Sequence, residues 1–152
     1  MKISRIIERA ITLQKEGKSH EAEKLYRKIL KNEPNNENAN HNLGIILASR
    51  NNIVEALSLF RLSTTINPNI ELFWLNYINA LIKNKELENA KIISKKIIKI
   101  KPDFIKLHLM HGSILIKLGK LDQAELIYRK VIEVKPELFE AQLSLGAVLQ
   151  DQ

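Results

Sequence analysis

Cysteine is absent from the 152 residues, which excludes a disulfide framework, a thiolate metal site and thiol catalysis. Long apolar runs are absent too. No stretch approaches the roughly 18 unbroken apolar residues of a membrane span, so no membrane role is expected. The opening MKISRIIERAITLQKEGK puts Glu8 and Arg9 where a signal peptide needs its apolar run, and a cytoplasmic location is the expectation. No Ser/His/Asp set, phosphate-cradling loop or pair of carboxylates emerges, so no catalytic residue, cofactor or metal is expected. Glycine and proline are sparse, at five and four, and their placement carries the most information.

Basic residues outnumber acidic ones, 24 to 17. A positive balance suits nucleic acid or an anionic surface, but the same balance arises on an ordinary solvated surface. Lys91, Lys95 and Lys99 form an i, i+4, i+8 stripe, and no aromatic interleaves it for base stacking. A solvated face is therefore favoured over a nucleic-acid partner.

The prolines are Pro34, Pro68, Pro102 and Pro136, each at i+34 from the last. Ala22, Ala56, Ala90 and Ala124 keep the same spacing, and aromatics follow three of them at Tyr26, Phe60 and Tyr128. Gly44, Gly112 and Gly146 share one phase, and Gly17 and Gly119 another. A fixed period in this range signals stacked supersecondary units. Each unit holds two amphipathic segments with apolar residues at helical spacing. The first kind, the A helices, is expected at 3–16, 37–50, 71–84, 105–118 and 139–152. The second kind, the B helices, is expected at 20–32, 54–66, 88–100 and 122–134. Short connections make the paired helices antiparallel. Gly17 and Gly119 fall just past A helices, where a left-handed cap suits glycine. Asp122 and Glu125 read as a capping box opening the last B helix. A glycine in mid-helix costs about 1 kcal/mol relative to alanine, so Gly44, Gly112 and Gly146 imply close approach by a neighbour.

Leu43, Gly44, Ala56, Phe60 and Pro68, and likewise Gly112, Gly119, Ala124, Tyr128 and Pro136, make a pattern that resembles the tetratricopeptide repeat. Trp74 takes the aromatic place near the start of an A helix. The resemblance covers the whole chain as one domain, 1–152, with repeats at 3–36, 37–70, 71–104 and 105–138 and a lone A helix at 139–152. Repeat 1 departs from the pattern with Arg9 and Ala10 in place of Leu–Gly. Repeat 3 departs further, with Ile78 where a small residue is expected and Ser94 where a large one is, two swaps that would offset each other in volume.

The resemblance implies an all-α, right-handed superhelical solenoid of antiparallel helix pairs whose A helices line a concave groove. It implies a protein-interaction scaffold, not an enzyme, that binds a peptide or partner helix there. The alternative is the N-terminal, substrate-presenting segment of a larger modifying enzyme, glycosyltransferase- or sulfotransferase-like. The groove set expected on the A helices is Asn38, His41, Asn42, Asn76, Asn79, Lys83, Lys106, Ser113 and Lys117. Asparagine offers both a donor and an acceptor, so Asn42 and Asn76, one period apart, suit a peptide backbone. The carboxylate clamp of some family members would fall on His41, Ile45, Asn76, Lys106 and Met110, which supply two of its five residue types. His108 and His111 have a spacing open to metal ligation, but packing is the favoured reading. Leu145, Val148 and Leu149 are expected to leave an apolar face open to self-association through 139–152.

Overall fold

The computed structural model describes residues 2–151. Among them are nine α-helices and no strand. The A helices are α1 (Ile3–Lys15), α3 (Glu37–Ser49), α5 (Glu71–Lys83), α7 (Ile105–Lys117) and α9 (Phe139–Gln150). The B helices are α2 (Ser19–Asn32), α4 (Ile53–Ile66), α6 (Leu87–Ile100) and α8 (Leu121–Val134). The fold is the all-α helix-pair architecture that the proline and alanine lattice implies.

Each B helix stops just short of a proline, with a single residue between. Those intervening residues, Glu33, Asn67, Lys101 and Lys135, have φ of −129°, −132°, −125° and −135°. Proline crowds the residue before it out of the helical region, so the helix ends there. Each of the first four A helices is followed by a left-handed residue: Gly17 (φ 78°), Asn51 (63°), Lys85 (64°) and Gly119 (70°). These four also keep the i+34 spacing, and only two are glycine. After α1, α3 and α7 the next amide closes the turn on the carbonyl five residues back: Lys18 N to Leu13 O at 2.8 Å, Asn52 N to Leu47 O at 2.9 Å and Lys120 N to Leu115 O at 2.9 Å.

The expected capping box is not formed. Helix α8 begins at Leu121, its N-cap is Lys120, and no side chain caps it. Asp122 is thus already inside the first turn, where a carboxylate favours the helix dipole. The N-cap with a side-chain bond is Asn36, which accepts from Ala39 N at 3.0 Å.

The chain divides into two compact units, one ending at Asn84 and the other beginning at Lys85. The division falls within the third repeat. In the first unit, α2 packs on α1 and α3, and α4 on α3 and α5. Tyr26, Ile29, Leu43, Ile46 and Phe60 are all 2% exposed or less in its core. In the second unit, α7 packs on α6 and α8, and α8 on α9. Leu115, Tyr128, Val131 and Val148 fill its centre. Ala22, Ala56, Ala90 and Ala124 have no exposed surface at all. Rings press on two of the mid-helix glycines: a Cβ at Gly44 would lie 2.7 Å from the Phe60 ring, and one at Gly112 would lie 2.6 Å from Tyr128.

Candidate functional site

Helices α3 and α5 both pack on α4, and a cavity of about 300 Å³ opens among them. Ile45, Ala48, Phe60 and Ala80 supply apolar surface, while Asn76, Asn79 and Lys83 supply polar groups. The polar residues lie at i, i+3 and i+7 on α5, so one helical face presents them all. Asn79 and Lys83 are exposed and Asn76 is half-buried. Amides and one ammonium over an apolar floor can hold a peptide backbone while an apolar side chain enters below.

His41 does not line this cavity. It is 3% exposed, with its ring 4.4 Å from that of Phe73 and 5.7 Å from that of Phe60. Asn76 Nδ2 lies 2.8 Å from His41 Nε2. An amide nitrogen only donates, so the imidazole accepts and is neutral. Burial pushes the His41 pKa down to about 4, with the Asn42 side chain opposing. His41 therefore positions Asn76 from behind.

Asn42 is half-buried. The buried Tyr26 hydroxyl donates to Gln14 Oε1 at 3.1 Å. Desolvation pushes the Tyr26 pKa up to about 12. Of the expected asparagine pair, Asn76 is bonded to His41 and Asn42 is half-buried, so Asn79 is the more accessible amide. Asn38 is exposed in the first turn of α3.

Comparison with known families places two matches on the chain. Family models described as tetratricopeptide repeat match residues 7–69 and residues 105–138. The chain belongs to the tetratricopeptide repeat family. Solved structures agree in fold. The MamA protein is 19% identical with a TM-score of 0.82, over 97% of this chain and 81% of that one. YrrB, described as a tetratricopeptide repeat protein with an unusual peptide-binding site, is 18% identical with a TM-score of 0.74, over 94% and 74%. An O-GlcNAc transferase mutant from Thermobaculum terrenum is 20% identical with a TM-score of 0.72, over 86% of this chain but 26% of that one. At such identities the likeness is one of fold. No curated protein matches the chain.

The remaining groove candidates lie in the second unit of this tetratricopeptide repeat chain. Lys106, Ser113 and Lys117 are exposed and fall at i, i+7 and i+11 on α7, close to one helical face. The structure brings Asn76, Asn79 and Lys83 into one cavity, whereas these three sit on their own helix. His108 and His111 turn to different partners. His108 Nε2 donates to Pro102 O at 3.1 Å, and His111 Nδ1 meets Ser94 Oγ at 2.8 Å. Among the described residues no three His, Cys, Asp or Glu gather as a metal site. Nor, among them, is any helix long and apolar enough to cross a membrane.

The apolar surface of α9 differs from expectation. Val148 is 1% exposed and Leu145 packs against the core, while Phe139 (67%), Leu143 (58%) and Leu149 (46%) face solvent.

Sequence reading missed two features. The apolar floor of the cavity carries ordinary core residue types, so nothing in the pattern separates Ile45 and Ala48 from packing residues. The other feature was available: Asn40, Trp74, His108 and Gln142 also keep the i+34 spacing. Each donates to the carbonyl of the proline six residues earlier, at 2.9, 3.0, 3.1 and 2.6 Å. Four residue types hide one shared property, a side-chain N–H that satisfies a carbonyl stranded where a B helix has ended.

Proposed function

We propose that this tetratricopeptide repeat chain is a protein-interaction scaffold that binds an extended peptide or a partner helix on the face of α3 and α5. Asn79 and Lys83 form the exposed edge, Asn76 is held in place by His41, and Ile45 and Phe60 form the floor. Within the second unit, Lys106, Ser113 and Lys117 on α7 offer an exposed polar face of their own. The observation that carries it is the cavity itself, in which three polar residues from one face of α5 meet an apolar floor.

A peptide selected from a displayed library on the immobilised chain supplies the ligand for calorimetry. Asn79→Ala with Lys83→Gln removes two or more hydrogen bonds, worth about 0.5–1.5 kcal/mol each. Affinity should fall roughly 5- to 150-fold. Lys28→Gln with Lys31→Gln, on the exposed side of α2, should leave it unchanged. Normal binding by the first variant would move the site elsewhere.

A second reading, a substrate-presenting segment of a modifying enzyme, draws support from the likeness to the O-GlcNAc transferase. Self-association through α9 draws support from the exposure of Phe139, Leu143 and Leu149. Leu143→Lys with Leu149→Lys should then lower the mass measured by light scattering; an unchanged monomer mass in the parent chain ends that idea.

A further inference from the structure

The second unit holds a cavity of different character. It has a volume of about 370 Å³ and lies among α6, α7 and α8. Three cations line it, Lys91 and Lys95 from α6 and Lys120 from the turn before α8, opposite apolar surface from Leu115, Leu126 and Ile127. Among the described residues that line it none is acidic. Glu88 pairs with Lys91 from outside the lining.

Lys95 is exposed, whereas Lys91 and Lys120 are partly buried. The Lys91 side chain is only 20% exposed, and the Lys91 ammonium alongside holds Lys120 below its ordinary pKa, with Lys95 adding to the effect. Cations that line one cavity repel each other, and an anion placed between them would reverse the sign of the interaction. His111 at the same cavity is 4% exposed and bonded to Ser94. Burial pushes its pKa down to about 4, so at neutral pH it adds no charge, and the field is that of the three lysines, offset in part by Glu88 beside Lys91.

We propose that this cavity binds a small organic anion, an aliphatic carboxylate whose head sits among Lys91, Lys95 and Lys120 and whose chain lies on Leu115, Leu126 and Ile127. An inorganic anion would leave the apolar half unused. Nucleic acid bases would find no Phe, Tyr or Trp among the described lining residues on which to stack, and the His111 ring is 4% exposed. The volume suits a short-chain ligand, at the low end of small-molecule sites. The site is separate from the α3–α5 face and does not depend on what binds there.

Hexanoate, acetate and hexanol serve as probes, with binding read from backbone amide shifts of the full chain. Hexanoate should give saturable shifts confined to α6, the second half of α7, the α7–α8 turn and α8. Acetate should bind about tenfold more weakly, as partial burial of the extra methylenes requires, and hexanol should give no saturable shifts. Lys91→Gln with Lys120→Gln should weaken hexanoate at least about tenfold at low salt, where the cations act most strongly. Circular dichroism would confirm the fold of that variant. Leu126→Gln, at a position already 54% exposed, should weaken hexanoate but not acetate. Equal binding of hexanoate and acetate, shifts spread over lysines throughout the chain, or indifference to the lysine variant would each overturn the proposal.

Discussion

Gly112 and Gly146 hold the same place in consecutive A helices, one period apart, yet their surroundings differ. A Cβ on Gly112 would lie 2.6 Å from the Tyr128 ring, whereas a Cβ on Gly146 meets nothing within 4 Å. Gly44 sides with Gly112, because the Phe60 ring stands 2.7 Å from the same point. One residue type at one lattice position thus has two physical meanings. Under a ring, the missing side chain is the packing itself. Without a ring, what remains is the conformational cost of glycine in a helix.

The largest expected effect comes from emptying a seat. Phe60→Ala or Tyr128→Ala should cost about 3–5 kcal/mol, because a buried ring leaves a cavity that the helices fill only partly. Chemical denaturation measures it, and a loss below about 1 kcal/mol would mean that the rings do not fix the approach of A and B helices.

The next effect is electrostatic and contrasts the two units through their buried histidines. His41 in the first and His111 in the second have folded pKa values pushed down by burial to about 4 from an ordinary 6.5. A depressed folded pKa means the unfolded chain binds the proton more readily, so this stability is present above about pH 6.5 and is lost as pH falls toward 4. The displacement corresponds to about 3 kcal/mol per histidine at pH 4 as an upper bound. His41→Leu and His111→Leu introduce the residue type that stands one period on, at Leu75 and Leu145. Each should flatten the pH dependence of the thermal midpoint between pH 6.5 and 4. An unchanged slope in both variants would locate the acid sensitivity elsewhere.

Alanine at the three glycines sharpens the opening contrast, since the sign should change. Gly44→Ala and Gly112→Ala should destabilise by about 1–2 kcal/mol, the overpacking cost less the gain in helix propensity. Gly146→Ala has only the gain and should stabilise by up to about 1 kcal/mol. The same sign at all three would show that ring contact does not decide the matter.

The smallest effect concerns the turns. Lys85 adopts φ 64° at the place where Gly17 and Gly119 stand. Lys85→Gly should stabilise by about 0.5–1 kcal/mol, since a left-handed conformation strains a lysine but not a glycine. Thermal unfolding that shifts downward instead would mean that the Lys85 side chain makes a contact outweighing its strain.

Much of this was legible from spacing. Proline acts through local sterics on the residue before it, so its position alone marks the ends of the B helices closely. The left-handed turns were half legible: glycine announced two, while Asn51 and Lys85 adopt the same conformation because the surrounding turn imposes it. The capping box failed because Asp122 lies one place inside α8, and a cap depends on the register of the chain as well as on the motif.

The sequence by itself determined the number, order and approximate extent of the helices, because backbone sterics and helical periodicity act over a few residues or recur at a fixed period. Only the tertiary structure decided which polar side chains remain available. Asn42 and Asn76 read alike on the lattice, but both are half-buried and Asn76 is bonded to His41, whereas Asn79, one turn on from Asn76, is left exposed. The occupancy of Gly44, Gly112 and Gly146 was likewise a matter of what stands opposite. Such facts belong to pairs of residues on different helices, and no helix carries its neighbour's side chains in its own pattern.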